Sequence, residues 1–350
     1  MVTRRQFIRK TLLTSAAAGF LPSAYSFAPE YVGFDLHSHP GAFFAKGSPE
    51  YPGDAGVLKT TSEMNTGRLT GAFFSLVADA ALLERTPTGI KPKGPYKPGE
   101  GWKEYQRQIT ALKGLLKSTP VSFATKAADL DLALKNKKVA AYIAVEGGDF
   151  LDGNASLLDE MYSDGIRSLQ LVHYVPNVIG DLQTQEAVHN GLSASGKEVL
   201  KKLNKLKMVV DVAHASFKTV QDVVSITDSP IILSHSILKM EESRPISVRA
   251  ITPEHAKLVA STGGVIGAWP SGFNNSFEEF VDNTLRLVDV VGIDHVGLGT
   301  DMDGNFKPVF SSYLQLPSWG EALKAKGLSS EDVGKIMGEN SKRVLRKVLG

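Results

Sequence analysis

Residues 207–236, KMVVDVAHASFKTVQDVVSITDSPIILSHS, limit the fold more than any other stretch of the chain. Two apolar runs, each ending in a histidine (His214 and His235), flank SFKTVQDVVSIT, whose apolar residues recur with helical spacing. Neither run alternates polar with apolar residues, so neither offers a face to water. Such strands belong in a parallel sheet covered on both sides. Parallel neighbours need a crossover of about a dozen residues, and the helical segment supplies it. The unit is therefore β-α-β, with an imidazole at the C-terminal end of each strand.

Similar runs recur along the chain. YVGFDLHSHP closes on His37 and His39, and residues two apart on a strand point the same way, so both imidazoles can face one site. TGAFFSLVADA is a second strand, KKVAAYIAVEGGDF a third that ends in Glu146, and GIRSLQLVHYVPN a fourth that closes near His173. Residues 207–236 supply strands five and six, a seventh ends around Trp269, and DHVGLGTDMDG is an eighth ending in Asp301 and Asp303. Helical patterns cover residues 102–117, 126–136, 155–163, 277–291 and 330–349, and another begins near Pro253. GLSASGKEVLKKLNKLK is amphipathic, with Ser193 or Ser195 as its N-cap. Residues 45–63 read as a loop, and the Pro- and Gly-rich residues 83–101 as a long binding loop or lid. Eight β/α units without internal repeats or a dividing linker predict a single-domain (β/α)8 TIM-type barrel over residues 29–350.

Barrels of this kind place their chemistry at the C-terminal ends of the strands. That rule gathers His37, His39, Glu146, His173, His214, His235 and Asp301 on one face. The chain contains no cysteine, which rules out disulfides, thiolate ligands and cysteine nucleophiles, so any metal is held by nitrogen and oxygen. His37, His39, His214 and His235 are the first-choice ligands. With Glu146 they suit Zn2+ or another first-row divalent ion, and two ions if Glu146 bridges them. A carboxylate ending a buried strand costs free energy unless it is paired or ligating. His173 could be a ligand or a donor to an oxyanion. Asp301 could carry a proton from metal-activated water to a leaving amine, or ligate the metal itself. Asp35 and Asp303 are candidate partners for the histidines, and Arg244 or Arg249 could hold a substrate carboxylate. His189, His255 and His295 read as structural or solvent-exposed. The natural reaction of such a centre is hydrolysis of an amide or ester.

Residues 1–28 have four basic groups, no acid, a short apolar middle and small residues afterwards, the anatomy of a signal peptide. Thr3-Arg4-Arg5-Gln6-Phe7-Ile8-Arg9 is similar to a twin-arginine export signal, which implies a periplasmic or otherwise exported protein. The formal net charge is only +2, so no nucleic-acid surface is expected. The apolar middle of the leader is too short to span a bilayer comfortably, and no stable membrane span is expected in the mature chain. A homodimer is left open.

These motifs resemble the membrane (renal) dipeptidase family, metal-dependent peptidases of the amidohydrolase-like TIM barrels. The likeness runs from about Asp35 to the C-terminus and is carried by VEGG, GIRSLQLVHYVPN, GLSASGKEVLKKLNKLKMVVDVAHAS, PIILSHS, HVGLGTDMDG and GENSKRVL. It implies that His37 binds a first metal ion, that Glu146 bridges, and that His214 and His235 bind a second. It also implies that His173 and Arg249 contact substrate, and that Asp301 takes part in proton transfer and amine binding. The expected reaction is hydrolysis of a dipeptide or similar small amide by metal-activated water. The alternatives are a related amidohydrolase acting on N-acyl amino acids or lactones, and a non-catalytic binding protein on the same barrel. The chain departs from the family at His37-Ser38-His39, where the family pattern is His-x-Asp. That change implies weaker occupancy of one metal position or a different preferred metal.

Overall fold

The computed structural model describes residues 33–86, 89–240, 244 and 247–350. The expected leader over residues 1–28 lies outside them. The apolar runs form strands buried along their whole length: β1 (Phe34–Ser38), β2 (Gly71–Val77), β3 (Val139–Glu146), β4 (Ile166–Gln170), β5 (Val209–Asp211), β6 (Ile232–Ser236), β7 (Val265–Ala268) and β8 (Val296–Leu298). Each pairs in parallel with the next, and β8 pairs with β1 through Asp35 and Leu298, so the sheet closes into an eight-stranded barrel. The chain adopts the expected (β/α)8 fold.

Alternation along β3 shows how the core divides. Ala140, Tyr142 and Ala144 join Phe34, Leu36, Phe73, Val209, Ile232 and Val265 inside the barrel, while Val139, Ala141, Ile143 and Val145 pack outward with the helices. Val344, Leu345 and Val348 of the C-terminal helix (Asn340–Leu349) join the inner cluster and close the end where the strands begin. The other end is left for side chains that are not apolar. Beneath the site β6, β7 and β8 approach closely, because a Cβ on Gly267 or Gly299 would lie 1.9 or 1.8 Å from the Ser234 carbonyl oxygen.

The helices over Phe277–Val291 and Ala194–Leu206 form as expected, the second capped by Ser193, whose hydroxyl accepts from Gly196 N. Thr252 caps the helix that begins at Pro253. Three local expectations are corrected and one unforeseen strand is added. Residues 45–63 hold most of a helix, Asp54–Thr66, whose buried face is only Val57, Thr60, Thr61 and Met64. A hairpin, Leu83–Thr86 with Gly89–Pro92, occupies the front of the expected loop. A short strand, Val121–Ala124, pairs with the first half of β3 and leaves the second half to β4. The last helix is interrupted at residues 335–339, where Gly338 adopts an extended φ of 177°.

Candidate metal centre

At the C-terminal rim the strands deliver six candidate side chains from β1, β3, β5, β6 and the loop after β8. His37 and His39 end β1, Glu146 ends β3 and His235 lies in β6, while His214 and Asp301 each stand three residues past their strands. His214 and Asp301 have φ values of 65° and 52°, a left-handed backbone that costs a non-glycine residue roughly 1–3 kcal/mol. Neighbours hold both in place. Gln183 N donates to the His214 carbonyl at 2.8 Å, and Asp301 N donates to the His37 carbonyl at 2.9 Å.

The imidazoles form two pairs. His37 Nε2 lies 3.0 Å from His39 Nε2, and His214 Nε2 lies 3.1 Å from His235 Nε2. Glu146 stands between them. Its Oε1 is 3.3 Å from His37, 3.6 Å from His214 and 4.0 Å from His235, while its Oε2 is 3.3 Å from His39. Asp301 Oδ1 adds a further oxygen 3.3 Å from His39 Nε2. Two ligands about 2.0–2.1 Å from a tetrahedral cation lie about 3.3 Å apart, so the donor spacing fits a first-row divalent ion in each pair. Three groups bring donor atoms within 4.8 Å of one another: His37, Glu146 and His235; His37, His39 and Asp301; and Glu146, His173 and His214.

Protonation favours the same reading. His39 Nδ1 lies 2.8 Å from the Ser75 carbonyl oxygen, which accepts only, so Nδ1 carries the proton and Nε2 is left to face the site. Hydroxyls stand behind His37 and His235: Ser75 Oγ and Ser234 Oγ are 3.3 and 3.4 Å from His37 Nδ1, and Ser234 Oγ is 3.0 Å from His235 Nδ1. Burial pushes His214 and His235 well below the usual imidazole range, and the Arg249 charge adds to this. Both rings are therefore neutral, as ligation requires. Burial alone would raise Glu146, but the surrounding imidazoles, His173 foremost, outweigh it and hold the carboxyl ionised. His39 shows the opposite balance: burial opposes its charge, and the Asp301 and Glu146 carboxylates beside it lift it to about 10. The His39 side of the centre, beside two carboxylates, is the part that draws in positive charge.

His173 lies on the loop after β4, with Nε2 3.3 Å from Glu146 Oε1 and Nδ1 2.6 Å from Asp79 Oδ1. Arg249 is buried, and its Nη1 donates to Gln183 Oε1 at 2.6 Å while Nε and Nη2 have no partner. Its guanidinium lies 5.4 Å from the Trp269 ring, which in turn lies 5.5 Å from the His235 ring. Arg244 is occupied elsewhere, with Nη1 donating to Glu279 Oε1 at 2.7 Å, so Arg249 is the arginine of the site.

Two expected supports act differently. Asp303 accepts from Gly41 N and Thr60 Oγ1, both at 2.6 Å, and ties two loops together without touching a histidine. Asp35 accepts from the backbone of His37 at 3.1 Å and of Thr300 at 2.9 Å, bracing the ends of β1 and β8. Asp211 does the same for β5 and β6 through Ala213 N and Ser234 N. His255 is buried against Phe217, and burial pushes its imidazole down to about 4. His295 bonds the Gly264 carbonyl and His189 that of Asn177, so all three outlying histidines are structural. Sequence reasoning missed Asp79, Asp211, Ser75, Ser234 and Gln183. Of the unforeseen supports, Asp211 carries a local signal, an aspartate just ahead of its histidine as in Asp35-Leu36-His37.

The sequence profile of the membrane dipeptidases, peptidase family M19, matches residues 50–349. The chain belongs to the membrane dipeptidase family. The matched residues include Glu146, His173, His214, His235, Arg249 and Asp301, whereas His37 and His39 precede them. A dipeptidase of Claviceps purpurea, tcpJ, is 31% identical over 255 residues, 69% of this chain; the aligned part is 59% of that relative's length. Among solved structures, the metallopeptidase called dipeptidase AC aligns with a TM-score of 0.78 at 21% identity, over 91% of this chain and 99% of its own. A Rhodobacter sphaeroides metallopeptidase, solved with a phosphinate mimic of the dipeptide L-Ala-D-Ala, aligns with a TM-score of 0.76 at 19% identity over the same shares. Among the described residues of this family member, no helix is long and apolar enough to cross a membrane.

Proposed function

We propose that the protein is an exported, zinc-dependent hydrolase of dipeptides or similar small amides. The observation that carries the reading is Glu146, held ionised between two histidine pairs whose nitrogens are 3.0 and 3.1 Å apart. Membership of the dipeptidase family and the dipeptide mimic held by the Rhodobacter metallopeptidase support it. His37, His39 and Glu146 would hold one ion, and Glu146, His214 and His235 a second. When bound, such ions supply Lewis acidity and lower the pKa of water towards ~7.

The chain's own residues supply the rest. Arg249 presents its unpaired Nε and Nη2 to the substrate's terminal carboxylate. His173 donates to the scissile carbonyl oxygen. Asp301, partly open to solvent, takes a proton from the attacking water and returns it to the nitrogen. The carbonyl carbon gains the water oxygen, the C–N bond breaks, and the products are a carboxylate and an amine. Dipeptides with free amines are expected to turn over after metal loading, and N-acetylated analogues and lactones are not. Faster cleavage of blocked or lactone substrates would replace this reading with the related amidohydrolase.

His39 sets the metal content. An imidazole where the family has an aspartate removes one negative charge from a centre that can hold four positive ones. Dialysis against buffer is expected to leave about one metal per chain, retained by Glu146, His214 and His235, with the His37 and His39 position refilled only by excess ion. Two zincs per chain surviving dialysis would sink this account.

A further inference from the structure

We propose that Asp79 is a positioning residue that fixes the His173 ring with its Nε2 edge turned into the site. Asp79 lies two residues past β2 and is fully buried. Its Oδ1 accepts from His173 Nδ1 at 2.6 Å, and its Oδ2 accepts from the backbone N–H groups of Tyr174 and Val175 at 3.0 Å each. All three bonds go to one corner of the chain. The carboxylate therefore fixes the ring's plane, its Nδ1 proton and the backbone beneath it, and the opposite edge, Nε2, is left 3.3 Å from Glu146 Oε1.

What stands behind each ring separates His173 from the four paired imidazoles. Behind His39 is a carbonyl, behind His37 and His235 are hydroxyls, and His214 Nδ1 has no partner. Among the described residues, His173 is the one imidazole of the centre whose Nδ1 meets a carboxylate. A carboxylate at that distance anchors the Nδ1 edge more firmly than a neutral acceptor does, so this ring is held in one orientation. A group held in place where an oxyanion develops lowers the barrier to acyl transfer.

The amide-hydrolase reading supplies what the ring acts on, whereas the state of the ring is measurable without substrate. In 15N-histidine-labelled, zinc-loaded protein the His173 signals are identified by their loss in His173→Gln. The Nδ1 proton is expected far downfield, held by the Asp79 carboxylate. An Nδ1 without a proton, or with its proton in the ordinary range, overturns the proposal, and this measurement needs no change at Asp79. In turnover assays Asp79→Asn is expected to lower kcat about 10- to 100-fold with little change in KM and none in metal content. The same substitution made in His173→Gln is expected to cost nothing more. A carboxylate can also support a metal-bound imidazole, so loss of metal from Asp79→Asn, or additive losses in the double variant, rejects this positioning role.

Discussion

His235→Ala is expected to abolish turnover and to remove one metal from each chain. The ring is 1% exposed, lies 3.1 Å from His214 Nε2 and 4.0 Å from Glu146 Oε1, and has no protein substitute on β6. Loss of a supporting hydrogen bond around a metal costs roughly 10- to 100-fold in affinity or activity. Loss of the ligand itself exceeds that, because His214 and Glu146 alone leave the second position with two protein donors. Chelation of the unaltered protein has the same end result but is reversed by adding zinc, whereas the variant recovers only its first position. Metal analysis and turnover are read on the same samples. Full activity in His235→Ala rejects the assignment of the centre.

Arg249→Met is expected to separate stability from recognition. In the free protein the guanidinium is 1% exposed and two of its nitrogens lack partners, a burial cost that methionine of similar length does not carry. The variant should therefore melt no lower than the parent. Towards substrates with a free carboxylate, losing a buried charged partner costs about 2–5 kcal/mol, at least about a 30-fold fall in kcat/KM. A substrate whose terminal carboxylate is amidated should lose far less. Equal losses on both substrates would show that Arg249 does not read the carboxylate.

The barrel was legible because its strands are buried on both faces, which leaves unbroken apolar runs such as VAAYIAV, and because a polar residue closing such a run stands out. Glu146, His214 and His235 are conspicuous for that reason alone. Elements that lean on the barrel from outside were harder to read. The strand at 121–124 is half-exposed, the helix at 54–66 buries threonines beside its few apolar residues, and the hairpin after β2 ends on a proline. Ser234 sits beside His235 in the chain, but the other groups behind the imidazoles left no local trace. Asp79 meets His173 across 94 residues and Ser234 meets His37 across 197, so no window of sequence contains both partners. Chemistry at strand ends can be read locally, but the groups that orient it are brought together only by closure of the sheet.

The unequal lengths of the strands also give the centre a stiff side and a yielding side. Glu146 closes the longest strand, eight residues whose upper half is hydrogen-bonded to β2 on one side and β4 on the other. His214 and Asp301 hang from three-residue strands through left-handed backbone. Glu146 is thus a fixed post, whereas His214 and Asp301 are placed by loop backbone and the few hydrogen bonds that hold it. Amides near the end of β3 should exchange with solvent slowly whether or not metal is present, while those around His214 and Asp301 are expected to gain protection when metal binds. The centre is then anchored from the β3 side and completed by its loops.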